Sequence, residues 1–409
     1  MQSAPNEDSE PGKKWTGPFL DQMRLTADPL ADDVVGALFK NHDIDAVNNL
    51  WTQLLHHDGI PEQDLPEEIR PYLAASGALP SWANPDLIAK AQQLFVDRGF
   101  FCLLTLLSAS LPECYVLKNE SEVLGTTRDL TNHAFRRVLE TAQLIIAVMI
   151  PGGLTTTKKG IAAAQKVRLM HAAIRHLILH VPRHPENPAK PATFKDAVQK
   201  MPPWDVVRLG VPVNQEDLAY TLLTFSYVTV RAFQTMKVRI SKEEITAYLH
   251  CWNVVGHIMG IREELLAPAC ADAGELFKII KERQLGQGPS GEALAAALIA
   301  CSRQIISRET DGLLVRAFIH PLPIIFMHEL LDKSTLSTLK IPRLTFWQYL
   351  ARQIIRFFIA PFESLYQKLM ARFGLLVVDY LTALPQRWQR SLFAMPEEIK
   401  TTWRKKRGG

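Results

Sequence analysis

Between Thr141 and Pro185 the chain contains no Asp or Glu, yet it carries Lys158, Lys159, Lys166, Arg168, Arg175 and Arg183. At the centre of this stretch, in Lys166-Val167-Arg168-Leu169-Met170-His171-Ala172-Ala173-Ile174-Arg175, one histidine is flanked by arginines three residues before and four residues after it. On an α-helix, positions three and four apart are surface neighbours, so the three side chains share one face. Such a face offers a neutral imidazole for a metal and two cations for anionic groups. A haem requires both, because its iron takes an axial ligand and its propionates take positive partners.

A solvated basic helix face would show the same arginines. Against that reading, Ile161, Val167, Leu169, Met170, Ile174, Leu177, Ile178 and Leu179 make the rest of the helix apolar and predict that most of it is buried. A buried cationic cluster without a carboxylate nearby in sequence must find an anion elsewhere.

The elements that position this face are helical. Apolar residues recur with a period near 3.6 along most of the 409 residues, and alternating strand patterns with hairpin turns are essentially absent, so the expected class is all-α. The predicted helices run over Leu30–Phe39, Asp45–Leu55, Asn84–Ser108 and Thr131–Met149, the last stopped by Pro151-Gly152-Gly153. The histidine helix follows over Lys158–His180. Asn214 opens a helix running through Phe225 to Phe233, and Ser241 with Glu244 forms a capping box before a helix ending at Gly260. Later patterns cover Gly274–Ile280, Ala293–Ile306 and Leu313–Leu331. Three regions are expected: a polar arm over 1–27, a helical domain over 28–335, and an aromatic, basic helical extension over 336–409. From Arg343 onward this extension reads either as packed helices with a solvated face or as an amphipathic segment for an anionic membrane surface.

Composition excludes some partners. A net charge of +4, without a basic run interleaved with aromatics, argues against nucleic acid. The scattered cysteines Cys102, Cys114, Cys251, Cys270 and Cys301 contain no CxxC pair and read as reduced core residues. With a polar rather than apolar stretch from Met1 to Lys14, the expected location is cytoplasmic, with peripheral membrane contact as an option. The sequence lacks HExxH, GxSxG, a Gly-rich phosphate loop and the Glu-x-x-His pair of di-iron bundles.

The sequence resembles the latex-clearing proteins (rubber oxygenases) and the related endoplasmic-reticulum oxygenase of mycophenolic acid biosynthesis. The resemblance rests on Asp28-Pro29-Leu30-Ala31-Asp32, Leu130-Thr131 with Arg136-Arg137 and Thr141, Pro151-Gly152-Gly153 and Lys166 to His171. It continues through Asn214-Gln215-Glu216-Asp217-Leu218 with Phe225-Ser226, and Trp252 to Gly260. It implies a globin-like helical core holding haem b, with His171 as the proximal iron ligand and Arg168 and Arg175 near it. Arg137 and Thr141 match distal pocket positions, and the family's catalytic glutamate falls in Asn119-Glu120-Ser121-Glu122, leaving Glu120 and Glu122 as candidates. Where members of the family can place a distal lysine, this chain has Glu140.

The implied activity is oxidation or cleavage of a carbon–carbon double bond in an apolar, isoprenoid-like substrate by dioxygen. A carboxylate in an apolar pocket would take an allylic proton, while Arg137 and Thr141 would orient oxygen or developing charge. Glu140 would alternatively pair within its helix with Arg136 or Arg137. His133, His250 and His257 read as core or interhelical residues. A haem sensor or oxygen carrier, and a cofactor-free helical membrane protein whose arginines pair with carboxylates from other helices, are the competing classes.

Overall fold

A computed structural model of the chain describes residues 14–41, 66–126, 130–184, 198–309 and 320–359. These residues form an all-α assembly; the expected helix over Asp45–Leu55 and the chain beyond 359 lie outside them. The helices in chain order are α1 (Gly17–Arg24), α2 (Pro29–Asn41), α3 (Ile69–Ser76), α4 (Pro85–Thr105), α5 (Leu111–Val116), α6 (Lys118–Thr126), α7 (Leu130–Met149) and α8 (Lys159–His180). They continue with α9 (Val206–Leu209), α10 (Gln215–Phe225), α11 (Tyr227–Thr235), α12 (Lys242–Ile258), α13 (Cys270–Gln284), α14 (Pro289–Glu309), α15 (Leu322–Leu330), α16 (Lys333–Thr338) and α17 (Phe346–Ile359).

The polar arm proves shorter than expected. Trp15, Leu20 and Met23 are buried in the main core, and the Trp15 indole N–H donates to the Glu264 carbonyl at 2.8 Å. Thr16 caps α1 and Pro18 occupies its first turn, so the helical body begins inside the segment that composition alone assigned to the arm. At the other end Leu339 and Ile341 are also core residues, which carries the body past 335.

Two long helices depart from the expected pattern. In α4, Asn84 caps the first turn, accepting from the Asp86 and Leu87 amides, but Arg98 leaves helical geometry and bends the helix. Arg98 reaches Glu244 on α12 at 3.0 Å, and a π-helical turn over Leu106–Ser110 then carries the chain into α5. The helix opened by Asn214 breaks at Ser226, whose hydroxyl donates to the Leu222 carbonyl, and resumes as α11. The capping box at Ser241 and Glu244 forms as expected.

The α7–α8 hairpin positions the histidine. A Cβ added at Gly160 would lie 2.7 Å from the Val148 Cα, so only glycine lets the start of α8 press on the end of α7. Gln92 on α4 fixes the turn from both sides, donating to the Val148 carbonyl and accepting from the Gly152 amide, each at 3.0 Å. Further along, Glu140 of α7 acts electrostatically on Lys166 of α8, as an antiparallel pairing requires.

Candidate functional site

A cavity of about 220 Å³ lies between helices α5, α6, α7, α8, α10, α12 and α14. Helical periodicity selects its walls: Val138, Thr141 and Leu144 from α7, Val167, Met170, His171 and Ile174 from α8, and Leu218, Thr221, Leu222 and Phe225 from α10. Trp252 and Val255 of α12 and Leu294, Ala297 and Leu298 of α14 close the rest. Polar groups are few in this lining and comprise chiefly His171, Glu120, Glu140, Thr141, Asp217 and Thr221. Cavities of this make-up take apolar ligands and fix them with a few placed polar groups.

Among the described residues lining the cavity, His171 is the only imidazole, and no lysine or arginine takes part. Arg168 and Arg175, expected beside the cofactor, stand outside this lining. At about 100° per residue, the cavity face of α8 is centred near Val167, Met170 and Ile174, with His171 on its edge and both arginines turned a further step away. The Arg168 guanidinium grips the Asp28 carboxylate with two bonds, 2.6 Å from Nε and 2.7 Å from Nη2, and donates to the Ile258 carbonyl at 3.1 Å. Arg175 pairs with Asp32 and donates to the Pro212 and Val213 carbonyls at 3.0 and 2.8 Å. The anions required by the acid-free stretch therefore come from the start of α2. Their work is architectural: Arg168 docks α2 on α8, and Arg175 holds the loop that brings Val213 to the cavity wall.

Gly260 belongs to the same lock, because it has φ +81° and an added Cβ would approach the Arg168 guanidinium to 2.6 Å. Arg168→Ala would leave Asp28 buried without its cation. Removing one partner of a buried pair costs about 3–5 kcal/mol, and denaturant unfolding of the variant should show a loss of that size. An unchanged midpoint would mean that Asp28 finds water or another donor.

The two candidate glutamates separate cleanly. Glu120 lines the cavity and accepts from the Thr221 hydroxyl at 2.8 Å through Oε1, while its Oε2 is shielded from solvent and meets no hydrogen-bond donor among the described residues. Burial pushes its pKa well above the usual carboxylate range, the nearby Asp217 charge adds to the rise, and the Thr221 bond opposes it. Glu122 is absent from the cavity wall and accepts from Ser290 on α14 at 3.3 Å, so of the two only Glu120 faces the cavity. Ser121, between the two glutamates, is buried and donates to the Lys118 carbonyl at 2.8 Å.

Thr141 and Glu140 both reach the cavity. Glu140 also faces Lys166, whose ammonium is pushed down to about 7 by burial, with Glu140 acting in the opposite direction. Arg137 lies on α7, but its side chain and those of Arg136 and His133 are outside the described residues. His250 accepts from the Asn84 amide at 2.9 Å and His257 lies 3.6 Å from Glu263, both away from the cavity as expected. All five cysteines are free thiols.

Sequence reasoning missed Asp217 as a wall residue. It sits in the first turn of α10, where an acidic residue normally complements the helix dipole, and that ordinary role hides it. Burial, then the neighbouring Glu216 charge, raise its pKa to about 7, while Asn214 and Gln284 donate to its carboxylate at 2.8 and 3.1 Å. Also missed was Glu113, fully buried behind the cavity, which takes hydrogen bonds from Lys281 at 2.7 Å, Arg231 at 3.1 Å and Tyr220 at 3.2 Å. This network ties α5, α10, α11 and α13 together and so fixes the wall that carries Cys114 and Thr221.

The residues present fit a haem on its axial side: one imidazole stands at the edge of an apolar cavity whose other polar groups are acid–base side chains rather than further metal ligands. Among the described residues no group of three or more His, Cys, Asp or Glu is placed to hold a bare metal ion. The fold and site thus define a helical protein with an apolar-lined cavity and acid–base groups in its wall. The chain belongs to the family of the ER-bound oxygenase mpaB/B' and rubber oxygenase catalytic domain, whose sequence profile matches residues 119–360. A rubber oxygenase from Streptomyces sp. (strain K30) is 26% identical over 297 residues, an alignment spanning 71% of this chain and 66% of the relative, just under two thirds of its length. The structure of latex clearing protein in its closed state shares the fold, with a TM-score of 0.65 at 21% identity, covering 86% of this chain and 91% of that one.

Proposed function

We propose that this protein is a haem b-dependent oxygenase that oxidises or cleaves a carbon–carbon double bond of an apolar, isoprenoid-like substrate with dioxygen. The observation that carries this reading is one cavity presenting an imidazole, His171, together with a shielded carboxyl of raised pKa, Glu120, among apolar walls. Family membership supports the reaction class. His171 would hold the haem, which when bound supplies the iron chemistry that activates dioxygen.

The chain's own residues supply the rest. The apolar walls bind a hydrocarbon and exclude water, which strengthens each polar contact inside. Glu120 Oε2, which meets no donor among the described residues, takes an allylic proton and returns it as the double bond is cleaved, and the Thr221 hydroxyl on Oε1 holds the carboxyl in place. A raised pKa makes its carboxylate a stronger base than an exposed glutamate. Thr141, with Arg137 of the same helix, orients oxygen or developing charge. Cleavage balances without a reductant, since one dioxygen leaves one oxygen on each former double-bond carbon. Oxygen uptake by the haem-loaded protein with squalene or short polyisoprene tests the proposal. Reversible oxygen binding without turnover on polymer, short isoprenoid or unsaturated lipid would favour a sensor or carrier.

A further inference from the structure

Helix α17 is amphipathic, and it faces the wrong way for a soluble protein. At about 100° per residue, Phe346, Trp347, Leu350 and Ile354 fall on one side and Arg352 and Arg356 on the other. It is the arginine side that meets the body. Arg352 Nε lies 2.7 Å from Glu329 Oε2, and Arg356 Nε lies 2.7 and 2.8 Å from the two Glu329 oxygens, while the Glu329 side chain is only 8% exposed. The apolar side is left outward, with Phe346 72%, Trp347 74%, Leu350 42% and Ile354 48% exposed. Contiguous apolar surface of this kind marks an interaction site.

Charge identifies the partner. Residues 341–409 carry 12 lysines and arginines against 4 aspartates and glutamates, whereas residues 1–340 carry 34 against 38. The basic excess of the whole chain therefore resides in the segment that bears the exposed face. A second copy docking face to face would bring two such basic segments together and be repelled. An anionic lipid surface satisfies both halves of the pattern, taking aromatic and aliphatic side chains into the interface and attracting the cations of the same stretch of sequence. From the outward face and this charge asymmetry, we infer that α17 is a peripheral docking helix for anionic membranes, held apolar side out by the Glu329 clamp.

The test uses the full chain and phosphatidylcholine vesicles with and without phosphatidylserine, and it reads binding independently of turnover. The protein is expected to co-sediment with the phosphatidylserine vesicles, and less so as salt rises. Substituting Phe346→Ser, Trp347→Ser, Leu350→Ser and Ile354→Ser together changes only exposed positions and should lower partitioning by about tenfold or more, with the far-ultraviolet helical signal retained. Replacing Arg404, Lys405, Lys406 and Arg407 by glutamate should weaken binding while leaving the apolar face intact. Wild type remaining in the supernatant, or the four-serine variant pelleting like wild type, overturns the inference. So does a wild-type dimer that the four-serine variant abolishes without any lipid binding, which would assign the face to a second copy.

Discussion

His171→Ala is expected to abolish the Soret band of the purified protein while leaving its far-ultraviolet helical signal largely intact. The imidazole stands at the cavity edge of α8, and alanine is the best helix former, so the helix itself loses little. Deleting the only cavity imidazole among the described residues would remove the proposed iron ligand, and apolar walls alone would hold haem weakly. His250→Ala and His257→Ala serve as controls and should keep the band, since these residues sit against Asn84 and Glu263 outside the cavity. Full haem retention by His171→Ala would move the axial role to another histidine.

Glu120→Gln should lower turnover by about a hundredfold or more with the Soret band preserved, the usual cost of losing one positioned catalytic group. Glu122→Gln, altering a residue bonded to Ser290 outside the cavity, should change turnover by no more than about twofold. The pH dependence separates a base from a structural carboxyl. Burial and Asp217 hold the Glu120 pKa above the usual range, so the basic form, and with it the rate, appears only as pH rises through that raised value. Asp217→Asn removes the negative neighbour, lowers the Glu120 pKa, and should move the rising limb to lower pH. A rising limb that stays in place in Asp217→Asn would separate the rate from Glu120 ionisation.

Local signals in the sequence carried much of the fold. The Ser241–Glu244 box, the helix start at Asn214 and the Pro151-Gly152-Gly153 stop all have short-range causes, and the structure places each of them where the pattern put it. Features that depend on distant partners were not legible. The three-and-four spacing of Arg168, His171 and Arg175 showed that they are neighbours, but not that the face divides between a cavity and the carboxylates of α2. Asp28 and Asp32 were visible only as part of a resemblance, because nothing local couples residue 28 to residue 168. The choice between Glu120 and Glu122 likewise depended on the rotation of α6 against α10 and α14. The Glu113 network joins residues more than a hundred positions apart, and a buried ion cluster leaves no periodic trace in a sequence.

We propose that the cavity between α6, α7, α8 and α10 is where oxygen enters a carbon–carbon double bond. The most direct test is mass spectrometry of the products formed from squalene or short polyisoprene under ¹⁸O-labelled dioxygen by the haem-loaded protein. The account predicts labelled oxygen on the carbons of the former double bond, formed by wild type and reduced about a hundredfold or more in Glu120→Gln. Unlabelled substrate recovered intact from the haem-loaded wild type, or label appearing equally in Glu120→Gln, would contradict it.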